Sequence, residues 1–563
     1  MGAHIHPTLG SEQADRAVPL SRAVLWLLYA ALSGLLLFLS FPPADLWPLS
    51  YVAFVPLLAA VEGSGSYRVA VCCSVVAAAA AYLPSFAWVA SVAVSGWLAL
   101  ALYVGLYLIV AAPVILFFQK RFAGVWPLLA ALLWVGLELC RARLEPGFPW
   151  LLLGYTQYRF AGLLQLAAVG GVYAVSFVVF LANASLAALV GGVLRAGSGG
   201  RRPLLIGLAW VAVSALLLGT CTIAGRAARE RVVLTEGPVV GVVQQNIPRL
   251  VAAVYGGGGD LLAERQAEVQ LCAQLTATLR RSGVRLVVWP ETTVSVPLDR
   301  TPRYPAEKAL QQQALGYLRG LGQNMGCYFL VGAPSTVSET VTGSVLYGLG
   351  ATSEDLNSAV MLDPEGRVVG RYDKMRLVPF GEYIPMRETF PFLQALTPIP
   401  REISRGKEEV VFSLPLREGN DVVRFGALVC YEDVFPELCV AFRRKGAHFL
   451  VNIAEEGWYY IPGERGQHLA MAVFRAVETR TTVVRAANTG ISCFINPRGE
   501  VYAALEPLTE GALRAPLQLS GADTLYVRYG DAFAIICLML AILLPSVLVA
   551  LAEPAQEAPS SRR

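Results

Sequence analysis

The chain has 563 residues, of which 55% are hydrophobic and 15% are charged, and its mean hydropathy is +0.53. A soluble domain carries about 25% charged residues, so this composition excludes an ordinary soluble protein and indicates a membrane protein. The formal net charge of +4 gives no indication of nucleic-acid binding, and the ten cysteines include no pair with zinc-site spacing.

Residues 1–225 are predicted to form an N-terminal membrane domain, because this part of the sequence is almost entirely apolar. Seven runs approach the ~20 residues that a helix needs to cross a bilayer core. They are Val24–Ser40, Trp47–Val61, Val69–Ala90, Gly96–Phe118, Val125–Cys140, Gly170–Leu194 and Leu204–Ala224. The first run is longer than the apolar core of a signal peptide and further spans follow it, so it is predicted to be an uncleaved helix.

Residues 226–528 have a different composition, in which charges appear and strand and helix patterns alternate. Short runs rich in Val, Ile and Leu and bounded by turn residues predict buried strands. They are PVVGVVQQNI, VRLVVWPET, CYFLVGAP, VVRFGALVCYE and AHFLVNIA. Helical patterns such as LLAERQAEVQLCAQLTATLRR and GQHLAMAVFRAVETR lie between them. An α/β domain with helix-covered sheets is therefore predicted.

The C-terminal segment, residues 529–563, contains a last apolar run, Asp531–Leu551, and a polar tail. This run predicts an eighth span. Short loops rich in Lys and Arg tend to lie on the cytoplasmic side of a membrane. Applied to this chain, the rule places both termini inside and the α/β domain outside. Arg141, Arg143 and Arg159 lie on the outer side against this rule. They are either solvated or bind phosphate head groups.

Three polar residues follow apolar strands of the α/β domain: Glu291 in VVWPETTV, Lys374 in RYDKMRL and Cys430 in GALVCYED. Active sites in α/β sheets lie beyond the carboxyl ends of the strands, so these side chains are candidates for one site. A carboxylate can take the thiol proton and an ammonium can stabilise an oxyanion, which suits covalent catalysis. A helix predicted to begin near Val434 would favour the thiolate.

Each of these residues alone has a commoner structural explanation. A cysteine that ends a strand is usually a core residue, a lysine in a charged hairpin is usually solvated, and a glutamate after proline is often a cap. The combination is what indicates a site. His448 and His468 are predicted to be structural, the latter on the helix GQHLAMAVFRAVE.

Glu, Lys and Cys in this order, within WPE, DKMRLVPFGEYIP and CYED, resemble the nitrilase (carbon–nitrogen hydrolase) superfamily. The resemblance implies an α-β-β-α sandwich. With seven spans before this domain and one after it, the chain resembles the apolipoprotein N-acyltransferase family of multi-span membrane enzymes. GFPWLLLGYTQ (Gly147–Gln157), VVQQNIP and RAANTGIS (Arg485–Ser492) are also similar to family signatures.

The resemblance implies a role for each matching residue. Cys430 matches the nucleophile, Glu291 matches the general base, and Lys374 matches the lysine that stabilises the oxyanion. Glu382, Tyr431 and Glu432 match family residues that support the catalytic set.

The chain departs from the family pattern after the strand AHFLVNIA. The family reads Asn-Asp-(Ala/Gly)-Trp-(Phe/Tyr)-Gly, whereas this chain has Glu455 and Glu456 at the first two positions and Tyr460 at the last. These changes lie outside the three catalytic positions. They bear on loop contacts and on substrate preference.

The resemblance also implies the reaction and its partners. An acyl chain would pass from a phospholipid to the cysteine as a thioester, and then to the amine of a diacylglyceryl-cysteine lipoprotein. It implies no cofactor and no metal. It further implies a monomeric, multi-pass protein of the bacterial inner membrane with its catalytic domain on the periplasmic side.

Two alternatives are considered beside this reading. A membrane-tethered amidase would share the fold and the triad but use water as the acceptor; the seven leading spans and GFPWLLLGYTQ weigh against it. A transporter or receptor with an inactive α/β sensor would carry ionisable residues inside its spans. The spans hold few, with Glu138 the main one.

The segment RETFPFLQALTPIP (Arg387–Pro400) follows the PFGEY motif and is predicted to be irregular. Its large apolar residues are Phe390, Phe392, Leu393 and Leu396. A transferase must keep water from a thioester until the amine arrives. We expect this segment to reach acyl chains and gate the site; ordinary packing onto the domain is the alternative.

Overall fold

The structure of the protein is a computed structural model that describes residues 20–199, 201–248, 261–280, 283–302, 304–336, 355–396, 402–416 and 421–552. Helices fill the N-terminal part of the described chain. They are α1 (Leu20–Ser40), α2 (Val55–Ser64), α3 (Tyr67–Ser85), α4 (Val94–Arg121), α5 (Trp126–Arg143), α6 (Ala161–Leu164), α7 (Ala167–Gly199) and α8 (Arg202–Arg231). The last of these is followed directly by the first strand of the α/β domain.

Six helices within the described ranges are long and apolar enough to cross a membrane. Five belong to the N-terminal part, namely α1, α3, α4, α7 and α8, and the sixth is α14 (Ala532–Ala552). Their outward faces carry many exposed leucine, valine and isoleucine side chains. They correspond to six of the eight predicted spans, and the chain is a membrane protein.

The predicted span Trp47–Val61 is not one continuous helix. It consists of a 3₁₀ turn, Trp47–Tyr51, and the ten-residue α2, which is about 15 Å long at 1.5 Å per residue. Pro56 lies in the first turn of α2. Because proline has no backbone N–H, it cannot donate the hydrogen bond that would continue the helix toward the N-terminus.

This interrupted segment still passes from one side of the helix bundle to the other. The Tyr51 hydroxyl donates to Gln157 Oε1 at 2.9 Å, in the loop between α5 and α6. Glu62, near the end of α2, pairs with Arg195 in the last part of α7 at 2.5 Å. The alternation of sides that the sequence predicts is therefore retained.

The predicted span Val125–Cys140 forms α5, an 18-residue helix whose last two turns carry Glu138, Arg141 and Arg143. These charges shorten its apolar stretch, and α5 is not among the six long apolar helices. It is instead largely buried inside the bundle, against α7 and α14.

The outer arginines bind protein groups, so neither simple solvation nor binding of phosphate head groups is needed to explain them. Arg141 is buried and donates to the carbonyl oxygens of Trp150 and Leu151, both at 3.1 Å. The other two form ion pairs, Arg143 with Glu437 and Asp531, and Arg159 with Asp45.

The α/β domain contains two six-stranded sheets in the described part of the chain. Its strands are β1 (Thr235–Gln244), β2 (Leu286–Val288), β3 (Tyr328–Thr336), β4 (Asp355–Leu362), β5 (Val368–Asp373), β6 (Val411–Pro415), β7 (Val422–Val429), β8 (Phe449–Ala454), β9 (Thr482–Ala487), β10 (Cys493–Ile495), β11 (Val501–Ala504) and β12 (Gly511–Leu519). The first sheet has the order β12-β1-β2-β3-β4-β5, and the second has the order β11-β10-β9-β8-β7-β6. All five predicted strands are confirmed, as β1, β2, β3, β7 and β8.

Helices cover the outer face of each sheet. They are α9 (Leu261–Thr278), α10 (Pro305–Met325), α11 (Pro436–Arg444) and α12 (Glu464–Thr479), while the short α13 (Leu525–Tyr529) packs on α7, α11 and α12. The first pair packs on one side of the first sheet, and α11 and α12 pack on the second sheet. The predicted α-β-β-α sandwich is confirmed.

The sandwich is joined to the membrane helices through α12. Arg475 and Glu478 on this helix are fully buried and form an ion pair at 2.9 Å. The arginine also donates to the Tyr155 hydroxyl at 3.1 Å, and the glutamate accepts the Val172 N–H of α7 at 3.0 Å. A buried ion pair of the catalytic domain therefore anchors two parts of the membrane domain.

Replacing Arg475 with alanine leaves the Glu478 carboxylate buried without its charged partner. We expect Arg475→Ala to lower the free energy of unfolding by about 3–5 kcal/mol, the usual cost of breaking a buried ion pair from one side. Chemical unfolding in detergent measures the change. The control Arg475→Met with Glu478→Leu removes both charges and should lose far less; an equal loss in both proteins would contradict this explanation.

Candidate active site

Three predicted site residues lie just beyond the carboxyl ends of three different strands. Glu291 follows β2, Lys374 directly follows β5, and Cys430 directly follows β7. The first two belong to one sheet and the third to the other. Folding nevertheless brings them close together, so that the charges of Glu291 and Lys374 both act on the Cys430 thiol.

The Lys374 side chain is the centre of this group and is almost completely buried, with 1% exposed. Its Nζ donates to Glu382 Oε1 at 2.8 Å and to Glu291 Oε1 at 3.2 Å. Burial alone would lower the pKa of this amine, but the two carboxylates outweigh burial and raise the pKa well above its ordinary value. The amine is therefore a charged ammonium across the physiological pH range.

Glu291 is held by groups from three other segments. Its Oε1 accepts the side-chain amide of Asn357 at 2.6 Å, and its Oε2 accepts the backbone N–H of Glu455 at 2.9 Å. The backbone turns sharply after it, with Thr292 at φ 53°. Gly332 on β3 makes room for this turn, since an added Cβ would lie 2.6 Å from the Glu291 Cα.

Glu382 is the second carboxylate that contacts the Lys374 ammonium. Its Oε2 accepts the Val378 N–H at 2.8 Å, which fixes the carboxylate within its own turn. Its backbone carbonyl accepts the Ile403 N–H at 3.1 Å. The structure therefore brings Glu382 into contact with Lys374, which suits the supporting role that the resemblance implies.

Cys430 begins a 3₁₀ turn, Cys430–Val434, and has a positive φ of 55°. Non-glycine residues rarely adopt this conformation, and the strain is typical of functional sites. The helix that was predicted to begin near Val434 begins at Pro436. Burial, reinforced by the Glu291 carboxylate, raises the pKa of the Cys430 thiol well above its ordinary value, although the ammonium opposes this. The prediction of a favoured thiolate is therefore wrong.

Glu432 connects the cysteine turn to the lysine loop. Its Oε2 accepts the Val429 N–H at 2.8 Å, while its Oε1 accepts the Met375 N–H at 2.6 Å and the Arg376 N–H at 3.0 Å. The Tyr372 hydroxyl donates to the same carboxyl. Burial raises the pKa of Glu432 to about 7. This side chain joins the two sheets directly behind the site.

Tyr431 faces the membrane domain. Its ring stacks on Phe148 and Trp150 with centroid distances of 6.2 and 6.3 Å, and its hydroxyl donates to the Gly147 carbonyl at 3.4 Å. The GFPW part of the predicted signature therefore forms a wall beside the cysteine turn. Both segments were predicted from the sequence, but no local feature of either indicates that they touch.

Asn357 is a residue of the site that sequence analysis missed. Its amide lies 2.6 Å from Glu291 Oε1 and 3.4 Å from Glu382 Oε1, and its backbone carbonyl accepts the Lys374 N–H at 2.8 Å. Its place within the strand β4, with no motif around it, offered no local signal. Asp355 and Ser358 in the same strand are also polar, so Asn357 does not stand out in the sequence.

The two glutamates that depart from the family pattern occupy buried positions. Glu455 accepts the Gly457 N–H at 2.8 Å and the Asn488 amide at 2.9 Å, which braces the loop that holds Glu291. Glu456 is 1% exposed and bonds to His468. Tyr460, by contrast, is 62% exposed. Two of the three departures, Glu455 and Glu456, therefore lie among the buried residues that hold the site. The third, Tyr460, lies on the surface.

Glu456, Glu464 and His468 offer possible metal ligands within 4.8 Å of one another. The guanidinium of Arg485 donates to Glu456 Oε1 at 2.8 Å and lies 3.2 Å from His468 Nδ1. A metal ion there would lie against this positive group. The cluster therefore suits internal ion pairing rather than a metal ion.

Both parts of the chain match known protein families. Residues 33–185 match the family model of the apolipoprotein N-acyltransferase N-terminal domain, and residues 240–526 match that of carbon-nitrogen hydrolases. An apolipoprotein N-acyltransferase of Geobacter metallireducens is 35% identical over 91% of this chain and 92% of its own length. The chain belongs to the apolipoprotein N-acyltransferase family. It is an N-acyltransferase with a carbon–nitrogen hydrolase domain.

A second family member, from Chlorobaculum tepidum, is 29% identical over 91% of this chain and 94% of its own length. Among solved structures, an amidase from Nesterenkonia sp. is similar with 18% identity and a TM-score of 0.35. That match covers 54% of this chain and 98% of the amidase.

The close contact at Gly332 gives a test of the site geometry in this acyltransferase. In Gly332→Ala, the new Cβ would lie 2.4 Å from the Pro290 carbonyl, so the Glu291 turn must shift. We expect at least a tenfold loss of acyltransferase activity in a protein that still folds, because small displacements of a base are costly. The control Gly320→Ala on α10 has open space around its Cβ and should retain activity. Equal activity in both variants would contradict the prediction.

Proposed function

We propose that this enzyme moves an acyl chain from a phospholipid to the N-terminal amine of a diacylglyceryl-cysteine lipoprotein, through a thioester on Cys430. The observation that carries the proposal is the buried Lys374 ammonium, which contacts both Glu291 and Glu382 and acts on the Cys430 thiol. Relatives that bear the apolipoprotein N-acyltransferase name match nearly the whole chain, which supports the proposed substrates.

The first half-reaction acylates the cysteine. The Cys430 sulfur attacks the ester carbonyl of the phospholipid while Glu291 takes the thiol proton. The Lys374 ammonium stabilises the negative oxygen of the tetrahedral intermediate. The carbon–oxygen bond then breaks, the lysophospholipid leaves with the proton from Glu291, and a thioester remains.

The second half-reaction transfers the acyl group to the lipoprotein. Its α-amine attacks the thioester carbonyl, and Glu291 accepts a proton from the attacking nitrogen. The same ammonium stabilises the second tetrahedral intermediate. The carbon–sulfur bond breaks, the Cys430 sulfur recovers a proton, and the N-acylated lipoprotein leaves.

The raised pKa of Cys430 makes the base essential to this mechanism. A protonated thiol is a poor nucleophile, so its proton must leave as the sulfur attacks. Glu291 is suited to that task because Lys374, Asn357 and the Glu455 N–H hold its carboxylate in one orientation.

The membrane domain supports a lipid-facing site. Phe148 and Trp150 come from the loop after α5 and pack beside Tyr431, which follows the nucleophile. This contact would keep the cysteine turn near the level at which both lipid-anchored substrates lie. We further propose a multi-pass protein of the bacterial inner membrane that acts as a monomer, with its catalytic domain on the periplasmic side.

The two alternatives from the sequence have less support. A tethered amidase would not require the acyltransferase N-terminal domain that residues 33–185 match. An inactive sensor would not require Lys374 to be buried between two carboxylates at the cost of desolvating all three charges.

The proposed gate, Arg387–Pro400, is described as far as residue 396. Phe390 and Phe392 are exposed by 42% and 66%, with their ring centroids 6.0 Å apart, so they offer an apolar surface near the PFGEY turn. Leu396 ends a 3₁₀ turn, and residues 397–400 lie outside the described residues. The exposed rings support the proposal that this segment contacts acyl chains.

Labelled phospholipid alone tests the covalent step. We expect the protein to form a labelled acyl-enzyme, and Cys430→Ala to abolish it because the nucleophile is gone. Cys430→Ser should be close to inactive, since a hydroxyl ionises far less readily than a thiol. The control Cys72→Ala removes an exposed thiol of α3 and should keep the label. A labelled intermediate in Cys430→Ala would exclude the assignment.

Replacing both exposed rings of the gate tests its role. We expect Phe390→Ser with Phe392→Ser to lower phospholipid turnover in membranes several-fold, because the segment would lose its affinity for acyl chains. Leu508→Ser, at another exposed apolar residue of the same domain, is the control. In the unsubstituted protein, given phospholipid and a diacylated lipopeptide, mass spectrometry of the product should show N-acylated lipopeptide rather than free fatty acid. Unchanged turnover in the double variant would remove the gate from the mechanism.

A further inference from the structure

A cluster of buried charges lies directly behind the cysteine turn and takes no part in the mechanism above. Its members come from four different segments, and each is at most 3% exposed. They are Asp433, Glu456, Glu464, His468 and Arg485. Charges are buried to this extent only when they compensate one another, so the arrangement of the cluster is constrained.

His468, on α12, lies at the centre of the cluster between two carboxylates. Its Nε2 is 2.5 Å from Asp433 Oδ1, and its Nδ1 is 2.7 Å from Glu456 Oε1. Both ring nitrogens donate only in the imidazolium form. Burial would lower the pKa of His468, but Asp433 and Glu456 outweigh it and raise the pKa well above its ordinary value.

The remaining charged groups that face the imidazolium complete the balance. Arg485, on β9, pairs with Asp433 and donates to Glu456 Oε1 at 2.8 Å. Glu464, one turn earlier on α12, lies 3.4 Å from His468 Nδ1. Burial, together with the nearby Glu456 charge, raises the pKa of Glu464 to about 7. The carboxylates of Asp433 and Glu456 are thus matched by the cations His468 and Arg485. The third carboxyl, Glu464, readily holds a proton.

The two carboxylates that His468 bridges belong to the two halves of the active site. Asp433 lies in the 3₁₀ turn that begins at Cys430. Glu456 is adjacent to Glu455, whose N–H holds Glu291 Oε2 at 2.9 Å. A displacement of either carboxylate therefore moves either the nucleophile or the base.

The same ring also touches the membrane domain. Its centroid lies 5.5 Å from that of Trp150, which stacks on Tyr431. The neighbouring Gln467 accepts the indole N–H groups of Trp150 at 2.8 Å and of Trp88 at 3.2 Å. Helix α12 therefore orients the aromatic wall and the charged cluster together.

We propose that His468 is a positioning residue that sets the separation between the Cys430 sulfur and the Glu291 carboxylate. The proposal rests on the proposed function, in which Glu291 takes the proton of Cys430. Proton transfer needs hydrogen-bonding distance, so a shift of about 1 Å between the two groups slows the acylation step strongly. His468 acts on this distance without touching the substrate.

His468→Gln tests the proposal in the full-length protein in detergent. Glutamine has a similar length but presents one donor and one acceptor, so it repels one of the two carboxylates. We expect acyl-enzyme formation from labelled phospholipid to slow at least tenfold at saturating phospholipid. The half-saturating phospholipid concentration should stay within twofold, because Gln467 still holds the Trp150 indole N–H.

A second substitution distinguishes positioning from general packing. Asp433→Asn in the His468→Gln protein gives the glutamine oxygen an amide donor, while the glutamine amide donates to Glu456. We expect this double variant to recover at least half of the lost rate, so the two changes are strongly non-additive. A packing role predicts that the second buried substitution adds to the damage.

His448→Gln is the matched control, since His448 precedes β8 at the strand end opposite to the site and its ring accepts the Arg424 N–H. It should acylate at the wild-type rate. The proposal is overturned if His468→Gln acylates normally, or if the double variant is slower than His468→Gln. If His468→Gln does not fold, Asp433→Asn alone must show the same loss of rate. Absence of acyl-enzyme in the wild-type protein would instead refute the proposed function.

Discussion

One buried ammonium determines the geometry of the active site. Lys374 is almost completely removed from water, so its charge is tolerated only because Glu291 and Glu382 lie within hydrogen-bonding distance. The carboxylates depend on the ammonium in the same way. The loops after β2 and β5 are therefore held together before substrate arrives, and the positive charge is already oriented toward the place where an oxyanion would form.

Cys430, the proposed nucleophile, is joined to this charge group through backbone contacts. Glu432 accepts N–H groups from Val429, before the cysteine, and from Met375, after the lysine. Because these segments belong to different sheets, a single carboxyl determines how the sheets meet at the site. Behind it, the cluster around His468 determines the position of the same turn relative to the base. Positioning is thus distributed over residues that do not touch the substrate.

The membrane helices contribute to the catalytic domain beyond anchoring it. Phe148 and Trp150 form a wall of the cysteine turn, while Arg141 holds the carbonyls of the loop that carries them. Arg143 pairs with Glu437, in the first turn of the helix that follows the nucleophile. The bilayer-embedded and catalytic parts are therefore one packed unit around the site. An enzyme whose substrates are lipid-anchored benefits from this continuity.

The α-β-β-α domain, the membrane-protein class and the candidate residues Glu291, Lys374 and Cys430 could be predicted from the sequence, because apolar runs, strand ends and motif residues are local features of the chain. The interruption of the span Trp47–Val61, the place of Asn357 in the site and the raised pKa of the Cys430 thiol became evident only in the folded protein. The last two features depend on burial and on contacts between residues that are far apart in the chain, such as Glu291 and Cys430. The pKa of Cys430 could not be predicted from a local sequence pattern, because its main cause is the removal of water by segments that are distant in the chain.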